Sequence, residues 1–261
     1  MPSQKRYTRA LVHQHIKKAK HVGDGRNVAK HILGAFDHAR RWAAMNSTRE
    51  AVMLMAHPQW VVAPLIVISP QQLSKGDQSV VMGWVHYASE TYMQHVRSPT
   101  GGLVIPVVWR NHYTVLLIPR DRQLCGDWFD SNYMGRRVYP SLDVTELQKA
   151  VGRPIHVRTF HHRRVVCGGL QDEGIHDVFC AVWILWYMTQ GVGRDPVHMR
   201  KPTFADVFRF LQRTVYTLRS DFHQYLLDHS LSDQEARNVI ATILSVRPDD
   251  YRRAFYHSSM W

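Results

Sequence analysis

Cysteine is scarce in this chain, with three in 261 residues, at positions 125, 167 and 180. They form no C-x-x-C pair, which argues against a disulfide framework. Long hydrophobic runs are missing too. Nothing approaches the roughly 18–20 consecutive apolar residues of a membrane span, so no membrane partner is expected. The N-terminal stretch MPSQKRYTRALVHQHIKKAK carries basic residues but no apolar segment, and no secretory signal is expected from it. Unpaired thiols without an export signal fit a reducing setting: nuclear, cytoplasmic or virion-like, or an effector delivered to one. Histidine is abundant, at 17 residues, yet none falls in an H-E-x-x-H or Cys/His ligand spacing. Neither a metal nor another cofactor is expected. Internal repeats, heptad runs and low-complexity segments are also lacking.

What is present is a folding composition, 45% hydrophobic, with a net charge of +12. The charge is uneven. Residues 1–41 hold ten Lys and Arg against Asp24 and Asp37, which is +8 of the total. A charge run of this kind is often only a solvated face. It also attracts polyanions through phosphate neutralisation, which makes Lys5, Arg6, Lys17, Lys18 and Lys20 candidate nucleic-acid contacts.

Along the chain, residues 9–21 and 26–46 have helical spacing, the second with Val28, Ile32, Ala35, Phe36, Ala39 and Trp42 on one side. VVAPLIVIS (61–69) is β-branched around a proline, so an edge strand or extended connector is expected. Residues 79–95 read as a helix. The pattern then changes: LVIPVVW (103–109) and HYTVLLI (112–118) form a hairpin around Arg110-Asn111, and LCGDWF (124–129) is a third strand. A short helix near 143–151 and a strand at 155–160 follow. From residue 203 the chain is helical again, over 203–227 and over 232–244 after a Ser232–Glu235 cap, with a tail beyond Pro248. The expectation is an α+β fold with a central antiparallel sheet and helical additions before and after it. Three segments are expected: a basic helical region (1–60), a core (61–195) and a helical C-terminal region (196–261) packed on that core.

The stretch QDEGIHDVFCAVWILWYMTQG (171–191) organises the rest. With Asp177 as N-cap and Gly191 as C′ residue, 178–190 is a helix apolar nearly all round, and such a helix is buried. Cys180 lies in its first turn, where the helix dipole favours a thiolate. Free cysteine is equally a common space-filler in cores. Nucleophilic cysteine chemistry also needs an imidazole, a group to orient it, and oxyanion donors. A turn centred on Asp121 brings His112 opposite Asp130, and Gln171 lies in the loop before the helix.

The segments LVIPVVWRNHYTVLLIP, CGDWFDSNY and LQDEGIHDVFCAVWILWY together resemble the core of the ubiquitin-like-protein (SUMO) protease family and its adenain-like viral relatives. Asn111-His112-Tyr113 stands for the family's His-aromatic pair, Phe129-Asp130-Ser131 for its Asp-Ser step, and Phe179-Cys180-Ala181-Val182-Trp183 is more similar to the viral branch. The resemblance covers about residues 80–192. It implies a papain-like cysteine peptidase core with Cys180 as nucleophile, His112 as general base, Asp130 as its orienter and Gln171 as an oxyanion donor. Ala181 stands where cellular members have Gly, Tyr113 replaces the common Trp, and Gln171 lies further from the cysteine than is usual. Trp84 and Tyr113 are candidate walls of a narrow substrate tunnel. The implied reaction is hydrolysis of peptide or isopeptide bonds after small, Gly-Gly-like residues through a thioester. The substrate would be a ubiquitin-like protein, its conjugate or a polyprotein. Alternatives are a viral maturation protease held on nucleic acid by its basic region, an acyltransferase using the same thioester, and an inactive module that binds a ubiquitin-like protein or nucleic acid. Cys167, before Gly168-Gly169, is the competing thiol.

Overall fold

The computed structural model describes residues 24–46, 59–68, 78–109, 112–131, 142–158, 179–191 and 202–259. Helix α1 is Asp24–Asn46; strands β1 and β2 are Trp60–Val62 and Ile66–Ile68; helix α2 is Ser79–Met93. Strands β3 (Gly102–Trp109), β4 (His112–Pro119) and β5 (Gly126–Asp130) follow, then α3 (Val144–Val151), β6 (Ile155–Arg158) and α4 (Cys180–Trp186). A π-helical turn, Tyr187–Gly191, continues α4, and α5 (Phe204–Thr217), α6 (Arg219–Asp228), α7 (Asp233–Ser245) and α8 (Pro248–Ser259) complete the described chain. The fold is α+β.

The sheet is mixed where an antiparallel one was expected. Its order is β1-β3-β4-β5-β6, with β2 also on β3. The β3–β4 and β4–β5 pairs are antiparallel, whereas β1 and β2 run parallel to β3, and β6 runs parallel to β5. The reason is the connections. Each parallel neighbour is joined through a helical crossover: α2 between β2 and β3, α3 between β5 and β6. A helix returns the chain to the end it started from. Strands β1 and β2 are one edge broken at Ala63-Pro64-Leu65; β1 pairs with residues 102–104 and β2 with 107–109. Pro106 of β3 lies opposite that break, where a missing N–H interrupts no ladder on this edge. At Gly102 the strands approach closely. A Cβ there would lie 2.5 Å from both the Ile118 carbonyl oxygen and the Trp60 ring.

Every residue of β3 is buried, as expected of a strand covered on both faces. On one face Leu103, Ile105, Val107, Leu116, Ile118 and Trp128 form a core with Val81, Val85 and Ala88 of α2 and Leu147 of α3. On the other, Phe129 of β5 stacks on Tyr187, just after α4, with centroids 4.1 Å apart and planes 9° apart.

Two compact units divide the described residues: α1 through Trp42 together with Phe204 onward, and Ala43–Thr203. The two helical ends of the chain, set apart in the sequence, thus share one unit. Phe36 of α1 stacks on Phe208 at 4.6 Å, Trp42 meets Phe222 at 4.9 Å, and His31 Nε2 is 2.9 Å from Thr242 Oγ1. The expected helix over 203–227 is two helices broken at Leu218, whose φ of −102° and ψ of 37° leave the helical region. The tail after Pro248 is itself a helix, with Pro248 at its first position, where no N–H is needed. Ser232 and Glu235 form the expected reciprocal cap of α7.

Candidate active site

His112 opens β4 and Asp130 closes β5, so both stand at the same end of the sheet. Thr114, and not His112, pairs directly with Asp130. The expected register is therefore two residues out. A slip of two preserves the alternation of faces where a slip of one would destroy it. His112 stays on the face of Asp130 as its diagonal neighbour, close enough for a long side chain to bridge. The bridge is made: His112 Nε2 is 2.6 Å from Asp130 Oδ1, with side-chain exposures of 2% and 1%. Thr114 between them is buried, and its hydroxyl is 3.5 Å from the Val107 carbonyl.

With Nε2 occupied by the carboxylate, Nδ1 is the ring nitrogen left to address a nucleophile. Cys180 is near enough to act on the ring electrostatically, although Nδ1 makes no hydrogen bond of ordinary geometry. Burial is the largest single influence on the ring and disfavours its charge. The hydrogen bond to Asp130, with the influence of Asp130 and Cys180 on the ring, outweighs burial and raises His112 from 6.5 to about 10. The balance of the ring is thus shifted toward its charged form.

Cys180 is the first residue of α4 and is half-buried, while Ala181–Trp186 behind it are buried. The helix packs against β4. Its expected start differs. Phe179 is the N-cap and offers no side-chain hydrogen bond, so the helix begins two residues later than expected. The α-helical part spans only seven residues before the π turn.

The other expected site residues are placed as follows. Tyr113 is half-buried beside His112 and pairs with Val108. Trp84 projects from the solvent side of α2, 50% exposed, with its ring against Tyr87 at 5.9 Å. Helical periodicity explains this placement: Val81, Val85 and Ala88 turn inward, and position 84 turns away from them. Gln171, Cys167, Lys5, Arg6, Lys17, Lys18 and Lys20 lie outside the described residues. Among the described residues no group of three or more His, Cys, Asp or Glu could hold a metal ion, and no helix is long and apolar enough to cross a membrane.

Two features of the site were missed in the sequence. Thr114 is a second buried polar residue in β4, and its spacing of two from His112 could have found it. The Phe129–Tyr187 stack joins distant parts of the chain and leaves no mark in either segment alone. The chain matches no protein-family model and no curated protein, so the reading of this site rests on its residues.

Proposed function

We propose that this protein is a cysteine peptidase with a papain-like core, cleaving peptide or isopeptide bonds after small residues. The observation that carries the reading is the buried His112–Asp130 pair, 2.6 Å apart, with Cys180 interacting with the same ring. Burying an ionisable pair is costly unless its partners compensate, and a core built for packing alone has no use for one.

The chemistry follows from the arrangement. The Cys180 sulfur, as thiolate, attacks the carbonyl carbon, and the carbonyl electrons move to oxygen. His112, held by Asp130, gives its Nδ1 proton to the leaving amine as the C–N bond breaks, leaving a thioester on Cys180. Neutral His112 then takes a proton from water, whose oxygen attacks the thioester. The sulfur leaves, and the ring is charged again. Gln171 is the proposed oxyanion donor. The substrate class, a Gly-Gly-like tail of a ubiquitin-like protein or a polyprotein site, comes from the family resemblance and is part of the proposal.

The test is a peptide series ending Gly-Gly-X, with Leu or Phe replacing the second Gly, beside a Gly-Gly probe bearing a thiol-reactive group. Cleavage of the Gly-Gly peptide only, probe attachment at Cys180, and loss of both in Cys180→Ser are expected. Probe attachment without turnover would assign an inactive binder. Indifference to the second Gly would remove the proposed substrate class.

A further inference from the structure

Helix α4 touches the strands of the site at two places. Cys180 meets His112 at the start of β4. Tyr187 stacks on Phe129, which pairs with Val115 further along β4. Seven residues, about 10 Å of helical rise, separate Cys180 from Tyr187. By the alternation of the strands Phe129 points away from the face shared by His112 and Asp130, so the stack acts on the site through the β5 backbone, one residue from the carboxylate.

The backbone changes pitch at Tyr187. Tyr187 begins a five-residue π turn, a rare conformation that is frequent at functional sites. Its N–H is shared between the Trp183 and Ile184 carbonyls. Thr189 Oγ1 donates to the Leu185 and Trp186 carbonyls at 2.9 and 3.2 Å, satisfying acceptors that the wider turn leaves behind. Tyr187 is 3% exposed, and Phe129 precedes Asp130 directly in the chain. The stack thus ties the helix carrying Cys180 to the strand carrying the carboxylate.

We infer that Tyr187 is a positioning residue, setting through Phe129 the register of Cys180 against His112. The inference rests on the proposed role of Cys180. A slip of one residue along the helix moves the sulfur about 1.5 Å and swings it about 100° around the axis. Misplacement on that scale costs on the order of 100-fold in rate.

The experiment compares Tyr187→Leu, Tyr187→Phe and, as a packing control, Leu185→Ala, at temperatures where each is fully folded. Two readouts are taken: iodoacetamide labelling of Cys180 between pH 6 and 10, and kcat and KM on the Gly-Gly peptide. Tyr187→Leu is expected to slow labelling by about 10- to 100-fold, alter its pH profile and lower kcat with KM little changed. Tyr187→Phe keeps the ring and restores wild-type behaviour, and Leu185→Ala loses stability without altering the profile. If Tyr187→Leu does not fold, Phe129→Leu cuts the same stack from the strand side and gives the same reading. An unchanged labelling profile in the stack variants, or an equal change in Leu185→Ala, overturns the inference. Labelling needs no peptide substrate. A wild-type protein that cleaves nothing while its Cys180 labelling still depends on residue 187 would remove the peptidase reading and leave the positioning role standing.

Discussion

Replacing Asp130 by Asn tests the centre of the site, because it removes a charge while keeping the shape and one acceptor oxygen. In the wild type, His112 is raised from 6.5 to about 10 by Asp130 and Cys180 acting against burial. At about 1.4 kcal/mol per pH unit, that gap corresponds to about 5 kcal/mol as an upper limit. Part of it belongs to Cys180, so about 3 kcal/mol is expected for Asp130, at the lower end of what breaking a buried pair costs. A folded-state value above the unfolded one means that protonated His112 stabilises the fold. The contribution is complete below pH 6.5 and is lost as pH rises through about 10. Urea unfolding should therefore show wild type losing stability between pH 6.5 and 10 more steeply than Asp130→Asn, with the two converging at the alkaline end. The ring itself can be followed by NMR, its resonance assigned by its absence in His112→Gln. In Asp130→Asn it should titrate well below its wild-type value, since burial is then opposed by Cys180 alone. A wild-type His112 that titrates near 6.5, or two proteins with parallel stability curves, would refute the electrostatic account of the site.

Three further outcomes are expected. Iodoacetamide at pH 6.5, with sites assigned by mass spectrometry, should label Cys180 well before Cys125 and Cys167. His112→Ala should slow that labelling, and Cys125 or Cys167 reacting first would assign the nucleophile elsewhere. Deleting residues 1–23 should weaken duplex DNA binding and its steep salt dependence, leaving peptide cleavage unchanged; binding indifferent to the deletion returns that stretch to a solvated surface. Ser232→Ala removes one half of the reciprocal cap of α7 and should lower stability by about 1 kcal/mol in thermal unfolding, without effect on Cys180 labelling.

Local chemistry was enough for several elements. Ser232 and Glu235 announce the start of α7 because both partners of the cap lie within one turn. The β3–β4 hairpin is legible because its strands are separated only by residues 110 and 111, and Trp109 then has to face His112. That His112 and Asp130 come together follows from the same alternation. It survived a register error of two because side-chain direction repeats every second residue.

Other features depend on parts of the chain that no local window contains. The sheet is mixed because helices α2 and α3 carry the chain back before it pairs again, and a crossover's return is set by packing on the sheet. Trp84 was expected as a binding wall, and the inward turn of Val81 and Val85 leaves it half-exposed on the outer side of α2. The start of α4 at Cys180, with Phe179 as its N-cap, and its passage into a π turn at Tyr187 accompany contacts with β4 and the stack on Phe129, none of which helical periodicity can express. The charge on His112 belongs to the same class. Burial alone would discharge the ring, and only the convergence of Asp130 from the neighbouring strand and Cys180 from the helix reverses the balance. The residue types and their alternation were thus determined by the sequence, while their distances, and the protonation that follows from them, were decided by tertiary packing. Coulombic and hydrogen-bond energies depend on separations of a few ångströms between residues 18 and 68 positions apart in the chain.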